Sequence, residues 1–166
     1  MPAGVEALTF GDGCEAAWRY TPGRVRGRQG GRECVMALRG SWFDNPVLGL
    51  AAAAAGAGLT ACGLDARQIA AGLAAFAPLP HRMQEVACRA GVRYVDDSKA
   101  TSLAATAAAL RMTAGPVRLI AGGRLKERDL AGIKELLTDK VKKVYLIGES
   151  AQTLRDAWSS AAACGI

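Results

Sequence analysis

The chain has 166 residues, 51% of them hydrophobic and 22% charged, a balance that reads as one soluble folded core or two small lobes sharing an interface. Aromatics make up only 5% while glycine numbers 20, so packing must come from small side chains in closely approaching helices and strands, which suits an α/β protein. The formal net charge of +6 favours an anionic partner without choosing among a nucleotide, a phosphorylated metabolite, nucleic acid and a membrane surface.

The first residues, Met1-Pro2-Ala3-Gly4-Val5-Glu6, have neither a basic start nor a hydrophobic run, so no secretory signal is expected. Residues 1 to about 40 alternate short apolar runs with Gly-rich and Arg-rich turns, the mark of antiparallel β hairpins. From Pro46 the pattern becomes helical, first through an Ala-rich segment to about Ala57. The uncharged stretch Asn45–Leu64 approaches the length of a membrane span, but it is built of Ala and Gly rather than Leu, Ile, Phe or Val, so a buried helix is expected. Asp65 then opens a second helix carrying Ile69, Leu73 and Phe76 at helical spacing, stopped by Pro78 and Pro80. Leu79-Pro80 marks a domain joint, dividing the chain into residues 1–79 and 80–166.

Beyond the joint the chain alternates strictly. Strand-like Val92–Val95 leads to a helix over Thr101–Met112, strand-like Val117–Ile120 to a helix from Asp129 to about Thr138, and strand-like Val144–Ile147 to a helix from Ser150 to about Ala163. This βαβαβα order predicts a parallel, doubly wound, Rossmann-like sheet. It shows three strands where such sheets have about five or six, so the chain reads as truncated, with an open edge after the third strand through which it could self-associate. The five cysteines, Cys14, Cys34, Cys62, Cys88 and Cys164, are odd in number and widely spaced, with one histidine beside them. They read as reduced thiols of a cytoplasmic protein, and no metal site is expected.

Ligands of open α/β sheets bind at the carboxyl ends of strands, where loops and helix N-termini present backbone donors. The polar clusters fall at those ends: Asp96-Asp97-Ser98-Lys99-Ala100-Thr101, Gly122-Gly123-Arg124-Leu125-Lys126 and Gly148-Glu149-Ser150. Ser150 and Asp129 read as helix caps. Lys99 and Lys126 place two ammonium groups at neighbouring strand ends, suited to a carboxylate or phosphate, although capping and turn chemistry accounts for parts of the same loops. His81 alone reads as structural more readily than catalytic, whereas Arg82 at a domain joint can reach a phosphate across a cleft. Nowhere does a Gly-Lys-Ser/Thr phosphate loop occur.

Taken in order, Leu79-Pro80-His81-Arg82-Met83-Gln84-Glu85-Val86, then Val95-Asp96-Asp97-Ser98-Lys99-Ala100-Thr101, then Ile120-Ala121-Gly122-Gly123-Arg124-Leu125-Lys126 resemble the successive motifs of the Mur ligases. The Asp-Ser-Lys-Ala-Thr form is similar to that of the D-glutamate-adding branch. The resemblance runs from about Leu38 to Ile166, with the preceding residues matching only as the variable β-rich end of the family's central domain. It implies that residues 1–79 end a central ATP-binding domain and that residues 80–166 are an incomplete Rossmann-like C-terminal domain.

What the resemblance implies chemically is an ATP- and Mg²⁺-dependent ligase of peptidoglycan precursor synthesis, and through it of cell shape and division. ATP phosphorylates the carboxylate of UDP-N-acetylmuramoyl-L-alanine, and the amine of D-glutamate attacks the acyl phosphate to give an amide. Carried over by motif, Lys99, Thr101 and Ser98 line the D-glutamate site together with Lys126, while Arg82 faces the ATP phosphates, Asp97 the ribose and Asn45 the adenine, with His81 in the same cofactor site. Metal and phosphate-loop ligands lie outside this chain, so no catalytic residue is assigned within it and no full reaction is expected of it alone.

Three positions depart from the family pattern. The usual His-Asn-x-x-Asn reads Asp44-Asn45-Pro46-Val47-Leu48, Ser102 stands where Asn commonly follows the Thr, and Glu127 stands where Gly often follows the Lys. Two other readings compete. Arg24, Arg26, Arg28 and Arg32 suggest a nucleic-acid-binding module, but without interleaved aromatics they read better as a solvated hairpin turn. A Rossmann-like binding protein with no ligase history leaves three ordered motifs unexplained.

Overall fold

The computed structural model describes residues 7–165, so Met1–Glu6, read above for a secretory signal, lie outside the described residues. The chain divides into two compact units at Ala77–Pro78.

In the first unit β1 (Phe10–Gly11), β2 (Trp18–Thr21), β3 (Arg24–Gln29) and β4 (Arg32–Ala37) form one sheet in chain order. The antiparallel β2–β3–β4 meander follows from the turn glycines: Gly23, Gly30 and Gly31 all take positive φ, the conformation that tight hairpin turns demand. β1 instead joins β2 in parallel through a two-residue bridge, Phe10 opposite Trp18, too short for any periodicity to reveal. Along β3, Val25 and Gly27 are buried while Arg24, Arg26 and Arg28 are exposed, so the arginine stretch is the outer face of a hairpin.

Against this sheet packs α1 (Pro46–Ala61), whose buried residues are Gly49, Ala52, Ala53, Gly56 and Ala57. Their smallness is required. A Cβ on Gly56 would lie 2.4 Å from the Trp18 ring, and one on Gly49 would lie 2.1 Å from the Tyr20 ring. The helix runs past its expected end at Ala57 and closes at Gly63, where positive φ lets Leu64 N donate back to the Leu59 carbonyl. α2 (Ala66–Ala74) opens on Asp65 as expected, with Gln68 completing a reciprocal capping box. Phe76 falls beyond this helix rather than on it, and its ring meets Phe43 edge-on at 5.0 Å. No helix among the described residues is long and apolar enough to cross a membrane.

The second unit differs from expectation in its sheet. The segment preceding Val92–Val95 is itself a strand, so β5 (Gln84–Arg89) and β6 (Val92–Asp96) form a separate antiparallel hairpin instead of β6 starting the parallel sheet. The turn explains it: Ala90 and Gly91 both take positive φ, a two-residue hairpin geometry that returns the chain onto its own preceding strand. The parallel sheet is β7 (Val117–Gly122), β8 (Val141–Ile147) and β9 (Cys164–Gly165), in that order. β9 lies where the chain was expected to stop short of its next strand, and it occupies the edge of β8 that was expected to be open.

Helices α3 (Leu103–Met112), α4 (Lys134–Lys140, entered through a 3-10 turn at Ala131–Ile133) and α5 (Ala151–Trp158) complete this unit. Leu110, Ile133, Leu137, Leu154 and Trp158 from these segments close a core over Val144 and Leu146 of β8. Trp158 Nε1 donates to the Leu130 carbonyl at 2.9 Å, and Lys140 Nζ caps the end of α3 at the carbonyls of Leu110 and Thr113. Ile120 and Ile147, on the other face of the sheet, remain 69% and 57% exposed. The fold class is therefore α/β with a Rossmann-like parallel sheet preceded by a β-plus-helix unit.

Candidate functional site

Three loops leave the carboxyl ends of β6, β7 and β8, and short polar contacts tie them to their surroundings. The loop after β6 begins at Asp96, whose Oδ1 accepts from Ser98 N at 2.9 Å and whose Oδ2 lies 2.7 Å from His81 Nδ1. The hydrogen bond from His81, then the Ser98 amide and hydroxyl, hold the Asp96 carboxyl down at about 2 against a small opposing effect of burial. Asp97 Oδ1 accepts from Met83 N at 3.0 Å. Ser102 caps α3 by accepting from Ala105 N at 3.1 Å.

The loop after β7 is fixed at both ends. Gly122 and Gly123 take φ of 149° and 100°, and Gly123 N donates to the Ile147 carbonyl at 3.1 Å. A Cβ at Gly122 would sit 1.8 Å from the Ile147 carbonyl oxygen, so only glycine allows β7 and β8 to end side by side. At the far end Glu127 Oε2 accepts from Leu103 N at 2.8 Å, placing a carboxylate on the N-terminus of α3 two residues beyond Thr101. The loop carrying Lys126 is thereby pinned to the loop carrying Lys99 and Thr101. The third loop is tied to the second as well: Ser150 Oγ donates to the Gly123 carbonyl at 2.8 Å and Glu149 pairs with Arg124 at 3.0 Å. Ser150, read from sequence as a helix cap, makes no side-chain cap and serves as this bridge.

Arg82, Lys99 and Lys126 are exposed, and none of them forms an ion pair among the described residues. Ser98 and Thr101 are exposed on the same loop as Lys99. Asn45 lies in the first unit and caps α1: its Oδ1 accepts from Val47 N and Leu48 N, and its Nδ2 donates to the Trp42 carbonyl at 2.7 Å. The five cysteines are free, and burial pushes the thiols of Cys34 and Cys164 up. Among the described residues no cluster of three or more His, Cys, Asp or Glu could hold a metal ion. Sequence reasoning gave no role to Asp96, Gln84 or Glu127. Each acts through a contact whose partner the sequence does not point out, although Glu127 had stood out as a departure from the family pattern.

Residues 81–165, just over half of the chain, match the family model described as Mur ligase, glutamate ligase domain. The chain belongs to the Mur ligase family. It is 45% identical over 86 residues to the UDP-N-acetylmuramoylalanine–D-glutamate ligase of Nitratidesulfovibrio vulgaris, covering 52% of this chain and 20% of that protein. It is 36% identical over 140 residues to the enzyme of the same name from a Synechococcus strain, covering 82% of this chain and 29% of that one. The chain thus spans only between 20% and 29% of the length of these Mur ligases.

Among solved structures it is similar to a pseudomurein peptide ligase type C from Methanothermus fervidus, with a TM-score of 0.62 over 91% of this chain and 31% of that one at 18% identity. It is also similar to the UDP-N-acetylmuramoylalanyl-D-glutamyl-2,6-diaminopimelate–D-alanyl-D-alanyl ligase of Acinetobacter baumannii, with a TM-score of 0.57 over 89% of this chain and 33% of that one, again at 18% identity. At that identity the structures speak for a shared Mur ligase fold.

Proposed function

We propose that this chain is the C-terminal region of a cytoplasmic ligase that joins D-glutamate to UDP-N-acetylmuramoyl-L-alanine through an acyl phosphate. In this reading residues 1–79 end the central ATP-binding domain and residues 80–166 form part of the domain that carries the incoming amino acid. The observation that carries it is the tie from Glu127 to Leu103, which draws Lys126 toward the loop of Ser98, Lys99 and Thr101 while neither lysine forms an ion pair among the described residues. A substrate with two carboxylates calls for such fixed positive charge with hydroxyl donors beside it. The choice of D-glutamate as that substrate is supported by the names of the relatives.

ATP supplies the phosphoryl group that activates the carboxylate. Exposed Arg82 suits its phosphates, and Asp97 suits the ribose because, among the described residues, its side chain is engaged at Oδ1 alone, by Met83 N. Metal ligation, like the phosphate loop, is read as the work of other parts of such a ligase. The work of this region is to orient the D-glutamate amine toward the acyl carbon, which lowers the barrier by converting an encounter into a held geometry.

The test replaces the matching segment of the Nitratidesulfovibrio vulgaris enzyme with residues 78–166 of this chain and follows D-glutamate incorporation with ATP. The chimera should incorporate D-glutamate, and Lys99→Ala within it should raise the KM for D-glutamate on the order of tenfold or more, the scale of one charge-assisted hydrogen bond. A folded chimera that forms an acyl phosphate yet never uses D-glutamate contradicts the proposal.

A further inference from the structure

Beyond the β5–β6 ladder, which itself ends on the pair Gln84–Asp96, three hydrogen bonds join the segment Leu79–Gln84 to the loop Asp96–Lys99. His81 Nδ1 lies 2.7 Å from Asp96 Oδ2, Met83 N donates to Asp97 Oδ1 at 3.0 Å, and Lys99 N donates to the His81 carbonyl at 3.2 Å. Within the segment, His81 N donates to Gln84 Oε1 at 3.0 Å. The backbone they enforce is strained, with φ of 63° at His81 and 48° at Met83, a left-handed conformation that non-glycine residues keep only where their surroundings over-determine it. Apolar packing supplies little of that constraint, because Leu79, His81, Arg82 and Gln84 are exposed and only Met83 is half-buried. The constraint is the polar network itself.

We propose that His81 is a positioning residue whose imidazole, gripped by Asp96, latches Leu79–Gln84 onto Asp96–Lys99 and carries Arg82 and Lys99 as one body. This departs from the direct cofactor contact that the family resemblance implies for His81. It rests on the functional reading above, in which Arg82 faces nucleotide phosphates and Lys99 the amino acid. The latch then sets the spacing between the phosphate-facing and amine-facing ends of the reaction, using residues of the second unit alone. Asp96 suits the task because its carboxyl stays ionised, and so remains an acceptor, throughout the neutral range.

The test is amide hydrogen exchange by NMR on the 166-residue chain, comparing wild type with H81G, D96N and D96L. Glycine relieves the strain at position 81 while deleting the ring, so a latch made by backbone geometry alone would survive it or tighten. Asparagine keeps its carbonyl oxygen as the acceptor for Ser98 N and turns an N–H toward the ring, which the Nε2-protonated tautomer accepts at Nδ1, whereas leucine removes both contacts. The latch predicts that protection of the Met83 and Lys99 amides falls on the order of tenfold in H81G and D96L, the scale of one charge-assisted bond, and is largely retained in D96N. The Val144 amide, bonded to the Ala163 carbonyl inside the parallel sheet, should not change and reports that the unit stays folded.

Wild-type protection of Met83 and Lys99 in H81G overturns the proposal. Should H81G also loosen Val144, D96L against D96N decides, and wild-type protection in D96L overturns it. Adding D-glutamate to the wild-type chain separates this from the reading beneath it. An intact exchange pattern with no response to D-glutamate defeats the function and leaves the latch standing.

Discussion

In the first unit, Trp18 and Tyr20 lie directly on the backbone of α1 at Gly56 and Gly49, both rings buried, with Val25, Met36 and Leu38 closing round them. In the second unit, the segments that carry Arg82, Lys99 and Lys126 are exposed and keep their shape through hydrogen bonds to Asp96, Asp97 and Glu127. The first arrangement leaves little room for a change in volume. The second tolerates changes in volume but depends on every acceptor. A surface that must meet charged ligands cannot be built from buried aromatics, so its geometry has to come from polar contacts that leave the working groups in water.

The largest effect expected from this contrast is in the first unit. Trp18→Ala should destabilise it by about 3–5 kcal/mol, because a large ring seated among glycines leaves a void that small neighbours cannot fill. Urea denaturation followed by the exchange of Val25 and Met36 amides measures it, and a loss well under that range would mean that the sheet and α1 collapse together without the ring.

A smaller effect sharpens the other side of the comparison. Glu127→Ala removes the carboxylate at the N-terminus of α3 and should lower stability by about 1 kcal/mol, as loss of a capping acceptor does. Its more telling consequence is local: the backbone signals of Lys126 and Thr101 should broaden together, since one contact ties their loops. Broadening of Lys126 alone would show that the loops are held apart from one another.

The smallest effect concerns pH. The folded carboxyl of Asp96 is depressed from 3.8 to about 2, so the support it gives is fully present above 3.8 and is lost only as pH falls through about 2. Following the Asp96 carboxyl carbon by NMR should give a midpoint near 2 in the wild type, and His81→Gln should raise it toward the ordinary value, because the imidazole bond is the largest cause of the shift. An unchanged midpoint in that variant would assign the depression to Ser98 instead.

How far the sequence led depended on whether the cause of a feature was local. Asp65 declared a helix start, the Gly-rich turns declared hairpins, and the loops after Val95, Ile120 and Ile147 stood out because strand ends are where polar residues gather. The partner of β6 was not legible, because an alternating strand pattern is the same beside a parallel neighbour as beside an antiparallel one; the deciding clue was Ala90-Gly91, a turn that only the left-handed backbone makes plain. β9 has two residues and no period to read. Phe76 had the spacing of a helix but packs on Phe43 from outside it. The exposed lysines stood out by type and position, whereas the carboxylates that hold their loops did not, since Glu127 acts on a residue 24 positions away and Asp96 on one 15 away.

The central claim is that Lys99, Thr101 and Lys126 form one anion-binding surface for D-glutamate. The most direct measurement is an NMR titration of the 166-residue chain with D-glutamate and, in parallel, L-glutamate, in the wild type and in Lys99→Ala. Saturable shifts of the Lys99, Thr101 and Lys126 amides with D-glutamate, weaker with L-glutamate and abolished by Lys99→Ala, are the expected result. Absence of saturable change at those amides, or shifts that persist unchanged in Lys99→Ala, would contradict it.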